Sequence, residues 1–216
     1  MITLYHLPLS PNSRRVWITL IEKGLDFQLV EVNLGGDQFK PEFLAMNPFH
    51  HIPTLVDDGF NVIESLAILD YLEAKYPTPA MLPKDAKDLA VVKMVELVSV
   101  NELLPALTPI MAVIFDLPKQ DPEAIEKSKT KINTVLKFFA DKLENRPYFG
   151  SDNITLADVV AGTIVPWLPQ AGISLDEYPQ LKTWCDRITV RSSWETTQTT
   201  PEMIVDFKKL LMSRQS

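Results

Sequence analysis

The sequence predicts a small α/β domain over residues 1–77, a linker at 78–86, and an all-helical domain over 87–216. Three observations carry this. Strand-like runs end by Ile63. The stretch Pro77-Thr78-Pro79-Ala80-Met81-Leu82-Pro83 punctuates the chain. Beyond it, apolar residues recur only at helical spacing.

The elements follow in order. Residues 2–7 read as a short buried strand. Asn12-Ser13 offers caps for a helix through Val16, Leu20 and Ile21, stopped by Gly24. Phe27 to Val32 is a second strand, broken by Gly35-Gly36. Pro41 opens a short helix, Glu42 to Met46, which ends before Asn47-Pro48. Residues 54–56 and 61–63 flank Asp57-Asp58-Gly59, a hairpin signal. Leu66, Leu69 and Leu72 mark the inner face of a helix that ends before Pro77. The order is β-α-β-α-β-β-α. Helical periods then run through 87–115, 121–144, 155–168, 178–190 and 201–212, with bends expected at Pro105 and Pro109. Ile154-Thr155-Leu156-Ala157-Asp158-Val159 is a capping box with its hydrophobic staple, a structural nucleus and not a catalytic group.

Composition excludes several function classes. A net charge of −7 with no basic run argues against nucleic-acid binding. A single cysteine, Cys185, excludes an intrachain disulfide and a CxxC redox pair. No apolar run approaches the ~20 residues of a membrane span, and the N-terminus lacks the pattern of a secretory signal. A cytoplasmic protein is the expectation.

The most informative stretch is His50-His51-Ile52-Pro53-Thr54-Leu55, followed by Glu64-Ser65. An X-Pro bond entering a strand can be cis and leave the main chain of the preceding residue facing outward. Such an edge pairs with an extended peptide. Ser65 is placed to cap a helix whose free N–H groups attract a carboxylate. A small acidic peptide such as glutathione needs both features.

These motifs, together with Pro8-Leu9-Ser10-Pro11-Asn12-Ser13-Arg14-Arg15-Val16 and Pro41-Glu42-Phe43-Leu44-Ala45-Met46-Asn47-Pro48-Phe49, resemble the cytosolic glutathione transferase superfamily over nearly the whole chain. The serine-type theta and phi classes and bacterial relatives, a cyanobacterial class such as chi among them, are the most similar. The resemblance implies a thioredoxin-like domain plus a helical domain, assembled as a homodimer, with glutathione as co-substrate, no cofactor and no metal. Its implied activity is conjugation of glutathione to hydrophobic electrophiles, a detoxification chemistry. The alternatives are a glutathione-dependent isomerase, peroxidase or disulfide reductase, and a non-catalytic binding or carrier module.

Carried onto this sequence, the family pattern makes Ser10 the residue that holds the thiol as thiolate, by a hydroxyl donor at a helix N-terminus. Ser13 reads as the helix cap, Tyr5 as packing or a rival activator, and Arg14 and Arg15 as a solvated face. Ile52 offers its main chain to the cysteinyl part, before a cis Pro53. Glu64 suits the γ-glutamyl ammonium and Ser65 its carboxylate. For the glycyl carboxylate, theta and phi relatives use a His-Lys pair. Here Gln38 and Phe39 align, followed by Lys40, and His51 precedes Ile52. An imidazole there implies tighter glutathione binding at lower pH. Leu9, Leu34, Met111, Phe115 and Trp167 are candidates for an apolar pocket. His50 and His51 lack the acidic or Cys neighbours of a metal site.

Overall fold

The computed structural model describes residues 1–114 and 121–213. They form two compact units: Met1–Ala80 together with the segment from Ser192 onward, and Met81–Arg191.

The first unit is built on a four-stranded sheet: β1 (Ile2–His6), β2 (Phe27–Glu31), β3 (Thr54–Asp57) and β4 (Phe60–Ile63), in the order β2-β1-β3-β4. β1 runs parallel to β2 and antiparallel to β3, and β3 runs antiparallel to β4. Helix α1 (Pro11–Glu22) connects β1 to β2; α2 (Pro41–Met46) precedes β3; α3 (Ser65–Lys75) follows β4. This is the expected β-α-β-α-β-β-α order, with one added 3₁₀ turn at Asp37–Phe39. The β3–β4 loop has two residues, Asp58 at φ 51° and Gly59 at φ 82°. Left-handed conformation at both central positions is what a tight hairpin requires.

The two faces of β1 are covered separately. Ile2, Leu4 and His6 alternate with Thr3 and Tyr5. The His6 ring meets Trp17 of α1 edge-on at 5.2 Å, while Tyr5 meets Phe43 of α2 at 6.3 Å. Burial pushes the His6 imidazole down to about 4, so it stays neutral. Val16, Leu20, Ile68, Leu69 and Leu72 of α1 and α3 are buried in the same core as Leu4 and Leu55. At the far end of the pair, Lys23 lies 2.6 Å from Glu73 and donates to the carbonyls of Tyr76 (2.8 Å) and Pro79 (2.9 Å). Asp57, at the end of β3, accepts from Lys75 (2.7 Å), Tyr76 (2.8 Å) and Tyr71 (3.0 Å). Burial raises the Asp57 pKa, but these donors outweigh it and hold the carboxyl below its usual range.

The second unit is helical. The expected helix over 87–115 is instead α4 (Ala86–Val98), a π turn (Ser99–Leu103), α5 (Leu104–Ala106) and α6 (Thr108–Ile114). Pro105 and Pro109 lack N–H donors, so the ladder is interrupted and not merely bent. α7 (Pro122–Leu143) begins at Asp121, whose carboxylate accepts from the N–H groups of Glu123 (3.0 Å) and Ala124 (3.2 Å). α8 (Leu156–Gly162) is shorter than predicted, because Pro166 and Pro169 convert the following turns to a 3₁₀ helix, Val165–Ala171. α9 (Pro179–Thr189) matches its expected span to within one residue.

The last two helices group with the first unit, whereas the sequence reading placed everything after residue 86 together. α10 (Ser192–Thr196) was not predicted, and α11 (Pro201–Ser213) matches the last helical period. Polar contacts contribute: the Arg14 Nε of α1 donates to Thr197 Oγ1 at 3.2 Å, and the Ser193 hydroxyl donates to Glu22, while Trp194 of α10 is buried. Among the described residues, no helix is long and apolar enough to cross a membrane.

Every residue of α8 is buried, and Asp158 sits at its first turn. The expected capping box forms, but the carboxylate does more. It accepts from Thr155 N (2.7 Å), Thr155 Oγ1 (2.7 Å), Phe149 N (3.1 Å) and Trp184 Nε1 (2.8 Å). It thereby ties α8 to α9 beside the edge-to-face rings of Phe139, Phe149 and Trp184. Gly150 is required next to it: at φ 68°, a Cβ here would come within 2.7 Å of the Asp88 carbonyl.

Asp158→Ala leaves several buried donors without an acceptor and is expected to cost on the order of 3–5 kcal/mol, read as a lower midpoint in urea unfolding. Full burial pushes the Asp158 carboxyl up to about 6, against the pull of its donors. A native pKa above the unfolded value means stability present below about pH 4 that is lost as pH rises through about 6. Asp158→Asn should flatten that part of the stability–pH curve.

Candidate active site

The registers of the sheet gather the site. Tyr5 pairs with Thr54, Thr54 with Ile63, and His6 with Glu31. The ends of β1, β2 and β4 and the start of β3 therefore share one edge. From that edge leave the segment into α1, the 33–40 segment, the 47–53 loop, and the turn into α3. In α/β sheets, ligands bind outside the carboxyl ends of parallel strands, where helices begin.

Ser10 is the N-cap of α1, in extended conformation, and its Oγ accepts from the N–H of Ser13 at 3.4 Å. The helix thus starts one turn earlier than the sequence suggested. Pro11 has no N–H to satisfy and its fixed φ suits the first helical position. Ser13 is not the cap. It is fully buried, and its Oγ accepts from Leu7 N at 3.2 Å, bracing the strand-to-helix turn. Ser10 is partly exposed. Its acceptor side is engaged from within, so its proton is available to a ligand at the mouth of the helix.

The loop before β3 is organised by Asn47, a residue whose role the sequence reading missed. Its Nδ2 donates to the His51 carbonyl (2.9 Å) and Thr54 Oγ1 (3.3 Å), and its Oδ1 accepts from Phe49 N (3.0 Å). Asn47 is only 2% exposed. The Ile52–Pro53 bond is cis, as expected, and a second cis bond precedes Pro79. Ladder pairing of β3 begins at Thr54, so the main chain of Ile52 lies just beyond it.

At the third segment, Glu64 and not Ser65 is the N-cap of α3, held at φ 67°. A non-glycine residue in that region is strained and marks a position determined by its surroundings. Ser65 is the first helical residue and is buried, while Glu64 is exposed. Ser65 Oγ accepts from Arg15 Nη1 at 3.3 Å. The expectation of a solvated face at Arg14 and Arg15 is thus wrong: they are 7% and 0% exposed. Both lie on the side of α1 that meets other elements of the unit, where their polar partners wait. Burial lowers the Arg14 guanidinium to about 10, still charged at neutral pH.

Residues 4–80 match the family profile of the glutathione S-transferase N-terminal domain, and residues 72–191 that of its C-terminal domain. The chain belongs to the glutathione S-transferase family. It is 33% identical over 199 residues to glutathione S-transferase D7 of Drosophila melanogaster, covering 90% of this chain and 87% of that one. It is 34% identical to the disulfide-bond oxidoreductase YfcG of Escherichia coli, covering 88% and 91%. Among solved structures it resembles glutathione transferase F7 of Populus trichocarpa, with a TM-score of 0.79 at 31% identity, covering 91% and 97%.

Within this family's fold, the remaining predicted residues fall as follows. Gln38 is buried in the 3₁₀ turn, and its Nε2 donates to the Leu34 carbonyl at 2.8 Å. Lys40 is exposed and paired with Asp37 at 2.7 Å, which raises its pKa. The Phe39 and His50 rings lie 5.1 Å apart, and His50 and His51 5.5 Å apart, so the 37–40 and 50–51 segments are neighbours. Leu9 is partly exposed in the first unit; Met111 and Trp167 are partly exposed in the second. Phe115 lies outside the described residues. Tyr5 packs against α2, on the other face of β1 from His6 and α1.

A sequence signal for Asn47 existed: an Asn before Pro48 favours a side-chain-stabilised turn. Arg15 gave none, because a buried arginine looks like an exposed one until its partner is placed. Asn47→Ala is expected to cost about 1–3 kcal/mol and to speed amide exchange at Phe49, measured by hydrogen-exchange NMR.

Proposed function

We propose that this protein is a glutathione S-transferase in which Ser10 steadies the thiolate of glutathione for attack on a hydrophobic electrophile. The observation that carries the reading is the Ser10 hydroxyl at the N-terminus of α1, its oxygen loaded by Ser13 N–H, at the same sheet edge as Ile52 and the start of α3.

A free thiol has a pKa of about 8.5, so only a few per cent is ionised at neutral pH. An O–H donor and the positive end of a helix both favour the anion. Lowering the pKa by about two units takes about 2.7 kcal/mol, within the reach of one charge-assisted hydrogen bond and a helix dipole. The Ile52 main chain holds the cysteinyl part as an added strand. Glu64 takes the ammonium, and Ser65 with the first N–H groups of α3 takes the γ-glutamyl carboxylate. His51, Lys40 and Gln38 serve the glycyl end, which their neighbouring segments support. Leu9, next to Ser10 in the chain and partly exposed, supplies an apolar contact for the second substrate. Sulfur forms the new bond to carbon as a leaving group such as halide departs with its electron pair. Holding thiolate and electrophile together lowers the entropic barrier to encounter. The protein acts as a cytoplasmic homodimer, which predicts sedimentation at twice the chain mass.

A second reading rests on the similarity to the E. coli disulfide-bond oxidoreductase. The chain's single cysteine cannot serve that reaction: Cys185 is buried in the helical unit, and burial pushes its thiol up to about 12. Disulfide reduction would have to take both electrons from two glutathione molecules, yielding glutathione disulfide.

Ser10→Ala is expected to lower kcat/KM for a model aryl halide by about 10²-fold and to raise the pKa in its pH–rate profile by about two units. Unchanged kinetics in Ser10→Ala, with the loss appearing in Tyr5→Phe, would refute the assignment. Comparing the wild-type rate with the aryl halide against that with a small-molecule disulfide decides between the two readings.

A further inference from the structure

We infer that Arg15 is a positioning residue that tunes the site toward a ligand carboxylate at Ser65. This inference rests on the glutathione reading above. Arg15 has no solvent exposure, and its Nη1 donates to Ser65 Oγ at 3.3 Å. A guanidinium cannot accept a hydrogen bond and does not lose its proton. The interior side of the Ser65 hydroxyl is therefore always occupied by a donor. The single hydroxyl proton cannot point inward against Nη1–H and is left to point away from α1, on the side where α3 presents its free N–H groups.

Two consequences follow from charge. The cation polarises the hydroxyl and makes it a better donor, since hydrogen bonds in a poorly solvated chain strengthen one another. It also adds positive potential to that of the helix terminus, and a charge buried this close is weakly screened by salt. Burying a guanidinium is costly unless its geometry and partners repay it. A carboxylate bound outside Ser65 would gain from the cation behind that hydroxyl.

The geometry also separates the roles of the two serines. Ser10 is loaded by a backbone N–H and Ser65 by a buried cation. Arg15 is five residues beyond Ser10, roughly 7 Å along the helix axis. Its effect should be felt in binding of the γ-glutamyl carboxylate and not in the ionisation of the thiol.

The experiment uses the full-length protein and two probes, glutathione and the analogue whose γ-glutamyl residue is replaced by 4-aminobutanoyl, which lacks that carboxylate. Dissociation constants are measured by calorimetry for wild type, Arg15→Gln and Arg15→Lys, with unfolding curves to confirm the fold. Arg15→Gln should weaken glutathione about tenfold and leave the analogue within about twofold, while Arg15→Lys restores most of the difference. The thiol pKa of bound glutathione should not move in either variant. Equal weakening of both probes, or no change in either, overturns the inference. If Arg15→Gln does not fold, Ser65→Ala decides: an unchanged ratio of the two constants overturns the proposal. Wild type that binds glutathione no better than the analogue overturns this inference alone. Wild type that binds neither probe overturns the glutathione reading with it.

Discussion

The pairing register of β1 is the constraint on which the site depends. Among the described residues, β1 is the only strand with a parallel partner on one side and an antiparallel one on the other. Because Tyr5 faces Thr54, β3 starts where β1 ends. Because β3 in turn runs antiparallel to β4, β4 ends at that edge too. Two helix N-termini and a stretch of main chain outside the strand ladder are then neighbours by topology. A one-residue slip would turn Leu4 and Leu55 away from the core, and the burial of both holds the register against it.

On that edge, the physics of recognition repeats. Both serines have their oxygen engaged from inside, Ser10 by a backbone N–H and Ser65 by a guanidinium, so both present a proton outward. Both stand at the positive end of a helix. On the proposed reading the two anions differ, a thiolate at Ser10 and a carboxylate at Ser65, and the same device would serve each. The loop held by Asn47 adds the third element, a main-chain edge, and its geometry depends on the amide of one buried side chain. The site is therefore preorganised mainly by groups that would touch no substrate.

The helical unit has its own centre. Asp158 gathers donors from the loop before α8, from the helix cap and from α9. Hydrogen-bonded in full, a buried carboxylate specifies one arrangement of these elements, which an apolar residue of the same size would not. The capping box visible at Thr155 and Asp158 is thus part of a larger network, whose Phe149 and Trp184 members lie outside the capping motif.

By itself, the sequence determined what is local or repeated: the strand–helix order of the first domain, the hairpin at Asp58-Gly59, the cap of α8, and the run of motifs that marks the family. Local chemistry sufficed because turn residues and side-chain periodicity act over a few positions. It misplaced the caps of α1 and α3: Ser10 and Ser13 are chemically equivalent candidates, and at α3 the preferred capping type, Ser65, loses the position to Glu64, which holds it by backbone conformation without a side-chain cap bond. It overlooked α10, which is too short to show a period. It read Arg14 and Arg15 as solvated, because charge predicts exposure only where no partner lies across the interface. Tertiary structure decided these points by bringing Ser65 and Thr197 to arginines far away in the sequence, and burial turned ordinary polar residues, Asn47 among them, into organisers of their surroundings.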